Sequence, residues 1–69
     1  MAICYKKMWK LLIDKNMNKS DLRERVGLST TTIEKLGRDE YVSMEVVFKI
    51  CATLHCEVGD IMEYVSDEN

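Results

Sequence analysis

The sequence predicts an all-α fold made of five short helices. Apolar residues recur at spacings of three and four along five successive segments, which is the period of an amphipathic helix. Asn18, Ser29 and Ser43 each precede one of these segments, and all three are residue types that favour helix starts. The chain contains no proline, and its 46% hydrophobic and 32% charged residues are typical of a small helical bundle.

One domain is expected over residues 1–69, because a chain of 69 residues is large enough for only a single core. We expect the core at about residues 5–65 and a frayed polar tail at residues 66–69. No apolar run approaches the roughly 18 residues of a membrane span, and the N-terminal charges do not fit a signal peptide. These features predict a cytoplasmic protein without membrane contact.

The first helix is predicted to begin near Tyr5 and to end near Asn16. Residues 1–4 are apolar and lack a cap, so they are expected to be a disordered end or a brief strand paired with a partner chain's equivalent. Asn16 tolerates the left-handed conformation that ends many helices. Trp9 is expected in the core or at a subunit interface. The apolar stripe contains Tyr5, Met8, Trp9, Leu11, Leu12 and Ile13.

The second helix is predicted to begin at Asn18, a favourable N-cap, with Asp21 near its positive end. Leu22 and Val26 lie four residues apart on one apolar face. Gly27 follows at the position where a helix end favours a left-handed residue. These features predict a short helix that ends in a glycine turn.

The third helix is predicted to begin after Ser29 and to close at Gly37, with Ile33 and Leu36 on its apolar face. Its outer face is polar and contains Thr30, Thr31, Glu34, Lys35 and Arg38. Two helices of about eight residues are unstable alone, so they must bury a shared apolar side. This layout predicts a helix-turn-helix, whose second helix enters the DNA major groove.

The fourth helix is predicted after Ser43, and Phe48 lies outside its apolar stripe. That ring is expected either to make a self-association contact or to lie flat on its own domain. The stripe contains Val46, Val47, Ile50, Cys51 and Leu54. A short fifth helix, capped by Glu57 or a nearby residue, is predicted from Val58, Ile61, Met62 and Val65.

Charge is distributed unevenly along the chain, although the net charge is only −2. Residues 1–38 contain nine Lys or Arg and four Asp or Glu, which gives +5. Residues 39–69 contain one Lys and eight Asp or Glu, which gives −7. A positive half that coincides with the helix-turn-helix can bind phosphates while the other half is repelled.

Two runs of the sequence resemble the Xre family, the family of the phage repressors and Cro proteins. MNKSDLRERVGLSTTTIEKL resembles its helix-turn-helix core, and YVSMEVVFKICATLHCEVGDIMEYV resembles its fourth and fifth helices. The resemblance covers roughly residues 5–65 and is strongest to the compact single-domain members. It implies a five-helix lambda-repressor-like domain that binds an operator as a homodimer and acts as a transcriptional repressor.

Two residues depart from the family pattern. Lys19 stands where the family often has glutamine, which puts a base-reading role at this position in doubt. Arg23 stands where a small alanine often faces the third helix, so the helices either lie further apart or the Arg stem snorkels.

Specific DNA contacts follow from placing the third helix in the major groove. Thr30 and Thr31 at its start can hydrogen-bond to base edges and touch a thymine methyl. Lys35 is expected to reach guanine or a phosphate. Glu34 is expected either to accept from a cytosine amino group or to hold Lys35 or Arg38 in place.

Phosphate contacts are expected around the same helices. Asn18 and Lys19 would hold a phosphate through backbone N–H groups and the lysine ammonium. Arg38 is expected to contact a phosphate. Ser29 is expected mainly to cap the third helix, although a phosphate could compete for its hydroxyl.

A dimer surface is expected from the fifth helix and Phe48, because one small domain makes few base contacts and specific affinity generally needs two half-sites. The residues predicted for it are Phe48, Ile61, Tyr64 and Val65. The alternative function is a protein-interaction module of the same fold, antitoxin-like or anti-repressor-like, with little DNA binding. The net negative charge and the modest recognition helix favour that alternative.

Catalysis, metal binding and a cofactor or small-molecule substrate are not expected. Cys51, His55 and Cys56 lie close in sequence, but a structural zinc site needs four ligands and Cys4 is distant. Buried, reduced free thiols are the expectation. The single histidine and the absence of a nucleophile motif or a glycine-rich phosphate loop predict a protein that is not an enzyme.

Overall fold

Four α-helices and a small antiparallel sheet make up the computed structural model, which describes residues 2–66. In chain order, the elements are β1 (Ala2–Cys4), α1 (Lys6–Asp14), α2 (Lys19–Val26), α3 (Thr30–Gly37), α4 (Met44–Leu54), a 3₁₀ helix (Val58–Asp60) and β2 (Glu63–Val65). The all-α fold class is confirmed in its helical core, and the number of α-helices is four instead of five.

Three of the predicted helix caps are confirmed by hydrogen bonds. Asn18 and Asp21 form a reciprocal pair, in which each side chain accepts from the other residue's backbone N–H at 2.8 and 3.1 Å. The Ser43 hydroxyl accepts from the N–H of Val46 at 3.2 Å. Ser29 caps α3 in the same way. Local side-chain chemistry therefore sets where α2, α3 and α4 begin.

All four helices end in the same backbone motif. A left-handed residue follows each helix, and the next N–H donates to a carbonyl five residues earlier, at 2.9–3.1 Å. The left-handed residues are Asn16, Gly27, Asp39 and His55. The first two were predicted, and the predicted end of α3 at Gly37 is confirmed. Gly37 is the last residue of α3, and the left-handed turn falls at Asp39.

The predicted fifth α-helix is wrong. The chain forms one 3₁₀ turn at Val58–Asp60 and then the strand Glu63–Val65. This strand pairs antiparallel with β1, with Ala2 opposite Val65 and Cys4 opposite Glu63. Tyr and Val favour an extended chain, and Gly59 disfavours a longer helix. The N-terminal strand therefore exists, but it pairs within its own chain.

The core lies between the helices and the 3₁₀ turn. Its buried residues are Tyr5, Met8, Leu12, Leu22, Leu28, Ile33, Leu36, Val47, Ile50, Leu54 and Ile61. Ile13 was expected on the apolar stripe of α1, but its side chain is 71% exposed, because it lies at the edge of a face too wide for the neighbouring helices to cover. Within residues 2–66, no helix is long and apolar enough to cross a bilayer.

Candidate nucleic-acid interface

The helix-turn-helix consists of α2, a three-residue turn and α3. Gly27 adopts φ +83°, a conformation that L side chains rarely adopt, and the N–H of Leu28 donates to the Arg23 carbonyl at 2.9 Å. Leu22 and Leu28 are buried in the core, and Ile33 and Leu36 of α3 join them there. The turn and the shared core fix the orientation of α3, whose other face stays outward.

The first turn of α3 separates structural hydroxyls from exposed ones. The Ser29 hydroxyl accepts from the N–H of Thr32 at 3.1 Å and lies 3.0 Å from the Thr32 hydroxyl. Thr30 and Thr31 are exposed, and neither side chain takes part in this cap. The capping role of Ser29 is confirmed, and its phosphate contact stays a prediction. Thr30 and Thr31 keep their side chains exposed, and their contact with base edges stays a prediction.

The last turn of α3 carries two cations beside one carboxylate. Arg38 Nε donates to Glu40 Oε2 at 2.7 Å. This hydrogen bond lowers the pKa of Glu40 and raises the pKa of Arg38, and the charge of Lys35 lowers the pKa of Glu40 further. Lys35 is half-buried and lines a cavity of about 390 Å³ with Glu40 and Tyr41. Glu34 is exposed on the outer face of the same helix.

Tyr5 holds the loop that carries Glu40. Its backbone N–H donates to Asp39 Oδ1 at 3.0 Å, and its hydroxyl donates to the Glu40 carbonyl at 2.8 Å. The ring is buried, and burial, followed by the charge of Asp39, raises the pKa of Tyr5. The start of α1 therefore fixes the α3–α4 loop. This contact was not predicted from the sequence, because it joins residues that lie far apart along the chain.

The N-terminal end of α2 offers fewer free donors than expected. The N–H of Asn18 is already bonded to Asp21, so within the described chain Lys19 and Ser20 supply the N–H groups without a partner. The Lys19 ammonium lies 5.4 Å from the centroid of the Trp9 ring, a cation–π distance. Trp9 is thus a neighbour of the predicted phosphate contact, which its apolar spacing alone did not suggest.

Arg23, which stands in place of a small residue, is half-buried at the end of α2. Its carbonyl accepts from both Gly27 and Leu28, so the turn forms in spite of the long side chain. Partial burial of a charged side chain fits a stem that packs along the helix while the guanidinium reaches solvent.

The predicted dimer residues divide into exposed and buried ones. Phe48 is 58% exposed, Tyr64 is 65% exposed, and Val65 is also exposed. Ile61 is 0% exposed, so its place on a dimer surface is a wrong prediction. Its apolar spacing marked a buried side, and that side faces this chain's own core. Met44, four residues before Phe48 on α4, is an exposed neighbour that the sequence analysis did not select.

The three cysteines are free thiols, and each is half-buried. The expectation that Cys51 and Cys56 are buried is therefore only partly met, because both lie at the edge of the core at the end of α4. Among residues 2–66, no cluster of three or more His, Cys, Asp or Glu could hold a metal ion.

Comparison with known proteins gives three consistent matches. The family model of the Cro/C1-type HTH DNA-binding domain matches residues 7–67. YozG, an HTH-type transcriptional regulator of Bacillus subtilis (strain 168), is 34% identical over 61 residues, which cover 86% of this chain and 73% of YozG. The crystal structure of the transcriptional regulator VanUg is similar with a TM-score of 0.93 and 48% identity, over 96% of this chain and 88% of VanUg.

Proposed function

Since this chain belongs to the Cro/C1-type helix-turn-helix family and is a DNA-binding transcriptional regulator, we propose that it is a cytoplasmic, sequence-specific repressor that binds its operator as a homodimer. The observation that carries this proposal is the first turn of α3. Two threonines there are exposed while the neighbouring hydroxyls are used in the helix cap.

Base reading is assigned to Thr30 and Thr31. Each hydroxyl can donate to or accept from a base edge, and each methyl group can contact the methyl group of thymine. The adjoining cap fixes the backbone of these residues, so little conformational freedom is lost when α3 enters the groove. Glu34, one turn further along the outer face, would accept from a cytosine amino group.

Phosphate binding is assigned to the two ends of the helix-turn-helix. Lys19 and the free N–H groups at the start of α2 would contact one phosphate. Arg38 would contact another after exchanging its Glu40 partner for the DNA backbone, and Lys35 beside it supplies a second cation. These contacts set register and orientation, and α3 supplies the sequence preference.

The homodimer is proposed to use the exposed apolar residues of α4 and β2. Met44 and Phe48 lie on one face of α4, and Tyr64 and Val65 lie on β2. Large exposed apolar side chains on a small domain are typical of association surfaces, and aromatic rings dominate such surfaces. A dimer with a two-fold axis would present two α3 helices to half-sites about one helical turn apart.

Selection of bound duplexes from a random DNA library at about physiological salt tests this proposal. We expect enrichment of a near-palindrome whose half-site centres lie roughly 10 base pairs apart. Enrichment of a single half-site would contradict the dimer. If the folded protein enriches no sequence, specific recognition is refuted and the protein-interaction module becomes the better explanation.

A further inference from the structure

Two of the three cysteines are joined by a backbone hydrogen bond at the end of α4. His55 is left-handed at φ +57°, and the N–H of Cys56 donates to the Cys51 carbonyl at 3.1 Å. In this helix-ending motif, the side chains of the two hydrogen-bonded residues characteristically touch. At the end of α4 these two residues are both cysteines.

Another helix end of this chain shows that the motif brings the side chains of such a pair together. At the end of α3, the equivalent residues are Lys35 and Glu40, which line one cavity and interact by charge. At the end of α4, burial followed by the neighbouring Cys51 thiol raises the pKa of Cys56. The two sulfur atoms are therefore neighbours.

The thiol pair is open to solvent on one side. Cys51 and Cys56 are both half-buried, and Cys56 lines an open cavity of about 440 Å³ between α1 and the end of α4. The cavity contains Lys7 and Lys10 on α1 and Lys15 just after it, together with Asp14 and Asp60 of opposite charge. The cavity thus has an excess of positive charge and would attract a small anionic reagent.

We propose that Cys51 and Cys56 are a dithiol modification site, which a small anionic disulfide of the glutathione class converts to an intrachain disulfide. Cys56 meets the reagent first, because it lines the cavity. Its thiolate attacks one sulfur of the reagent, a mixed disulfide forms at Cys56, and one small thiol leaves. The Cys51 thiolate then attacks the Cys56 sulfur and releases the second small thiol.

The reaction is balanced without any further component. The protein loses two thiol protons and two electrons, and the reagent gains them as its disulfide becomes two thiols. The first step is expected to be slower than at a fully exposed thiol, because a raised pKa leaves less thiolate at neutral pH. The second step is intramolecular and benefits from the high effective concentration of the neighbouring thiol.

Peptide mapping of the intact, folded protein tests the proposal directly. The reduced protein is incubated with oxidised glutathione, quenched in acid, alkylated and digested with trypsin. Because Lys49 is the last Lys or Arg, Cys51 and Cys56 fall in the peptide 50–69, whereas Cys4 falls in the peptide 1–6. We expect the peptide 50–69 to lose two hydrogens in mass and to escape alkylation. A peptide 50–69 that stays fully alkylated, or that carries only glutathione, would refute the disulfide.

Cysteine variants give the matched comparison. Cys4→Ser is expected to leave the internal disulfide unchanged, because Cys4 lies on β1 opposite Glu63. Cys51→Ser is expected to stop at the mixed disulfide on Cys56. An internal disulfide that disappears in Cys4→Ser would overturn the assignment. Folding of each variant is checked by its helical circular dichroism before the reaction.

A neutral reagent tests the part played by the lysines. Hydroxyethyl disulfide undergoes the same exchange but carries no charge. For each state of the protein, the rate with oxidised glutathione is divided by the rate with hydroxyethyl disulfide. We expect this ratio to be several-fold higher for the folded protein than for the urea-unfolded protein. Equal rate ratios in the two states would refute the attraction of the anion to the cavity.

Discussion

The Glu40 carboxylate interacts with two cations at the last turn of α3. Glu40 accepts from Arg38 at 2.7 Å and lies beside Lys35 in the same cavity. The sequence made Arg38 a candidate phosphate contact but did not reveal this partner. The pairing depends on the left-handed residue Asp39, which brings Glu40 back toward the helix end. In the proposed complex, a DNA phosphate would compete with Glu40 for Arg38.

Replacement of Glu40 by Gln is expected to strengthen DNA binding by roughly twofold to tenfold, because Arg38 is released to a phosphate. The slope of log affinity against log salt should become steeper by about 0.9 for one added phosphate contact. Titrations of labelled duplex at several salt concentrations measure both quantities. Glu45→Gln is the matched control, since Glu45 is an exposed carboxylate on α4 paired with Lys49 at 3.9 Å. An equal gain in both variants would show a general charge effect.

Lys19 is the second residue whose role can be isolated. Its ammonium lies over Trp9, at the end of α2 that is assigned to a phosphate. Lys19→Met keeps most of the side-chain volume and removes the charge, so the salt slope should become shallower by about 0.9. Lys49→Met on α4 serves as the control with an unchanged slope. An unchanged slope in Lys19→Met would remove this lysine from the phosphate contacts.

At the scale of elements, the sequence was informative wherever one residue determines local geometry. Asn18, Ser29 and Ser43 marked three helix starts, because an N-cap needs only its own side chain and a backbone N–H nearby. The prediction of a fifth helix was wrong because the structure of this segment depends on a distant part of the chain. The spacing of Val58 and Ile61 also fits one 3₁₀ turn, and β2 exists because its partner strand lies at the other end of the chain.

The candidate site also contains some features that the sequence predicts and others that it does not. The polar face of α3 followed from its period, so Thr30 and Thr31 could be selected from the sequence. The contacts of Trp9 with Lys19 and of Tyr5 with the α3–α4 loop depend on tertiary packing, and no local pattern announces them.

The Ser29 cap of α3 is expected to contribute to folding stability and not to base recognition. Ser29→Ala removes the hydroxyl that accepts from Thr32 and is expected to lower the free energy of unfolding by about 1 kcal/mol. Ser20→Ala, at an exposed position inside α2, should change it by less than about 0.5 kcal/mol. Urea unfolding followed by circular dichroism gives both values. Equal stability of the two variants would contradict the structural role of the Ser29 cap.

At the scale of the whole molecule, charge and apolar exposure are arranged on different parts of the chain. The first 38 residues carry +5 and contain the helix-turn-helix, and the remaining residues carry −7 and contain α4 and β2. A positive DNA-binding part and a negative part would orient the protein as it approaches a duplex. The exposed apolar residues of α4 and β2 lie in the negative part, away from the assigned DNA contacts in sequence.

Phe48→Glu is expected to disrupt the proposed homodimer while the domain stays folded, because the ring is 58% exposed and does not belong to the buried core. Sedimentation should show a shift from dimer to monomer at micromolar concentration, and affinity for a two-half-site operator should fall by at least about tenfold. Ile13→Glu is the control for the sedimentation measurement, since Ile13 is 71% exposed on α1. A shift from dimer to monomer in Ile13→Glu but not in Phe48→Glu would indicate that the association surface lies on α1.

Recognition by the first turn of α3 is tested most directly by the ratio of affinities for the selected operator and a scrambled duplex. The double variant Thr30→Ala, Thr31→Ala should lose about tenfold or more of this ratio, since a base contact contributes roughly 1–3 kcal/mol of discrimination. Its affinity for scrambled DNA and its unfolding curve should match those of the wild type. A ratio that stays at the wild-type value in the folded double variant would show that α3 does not read the operator through these residues.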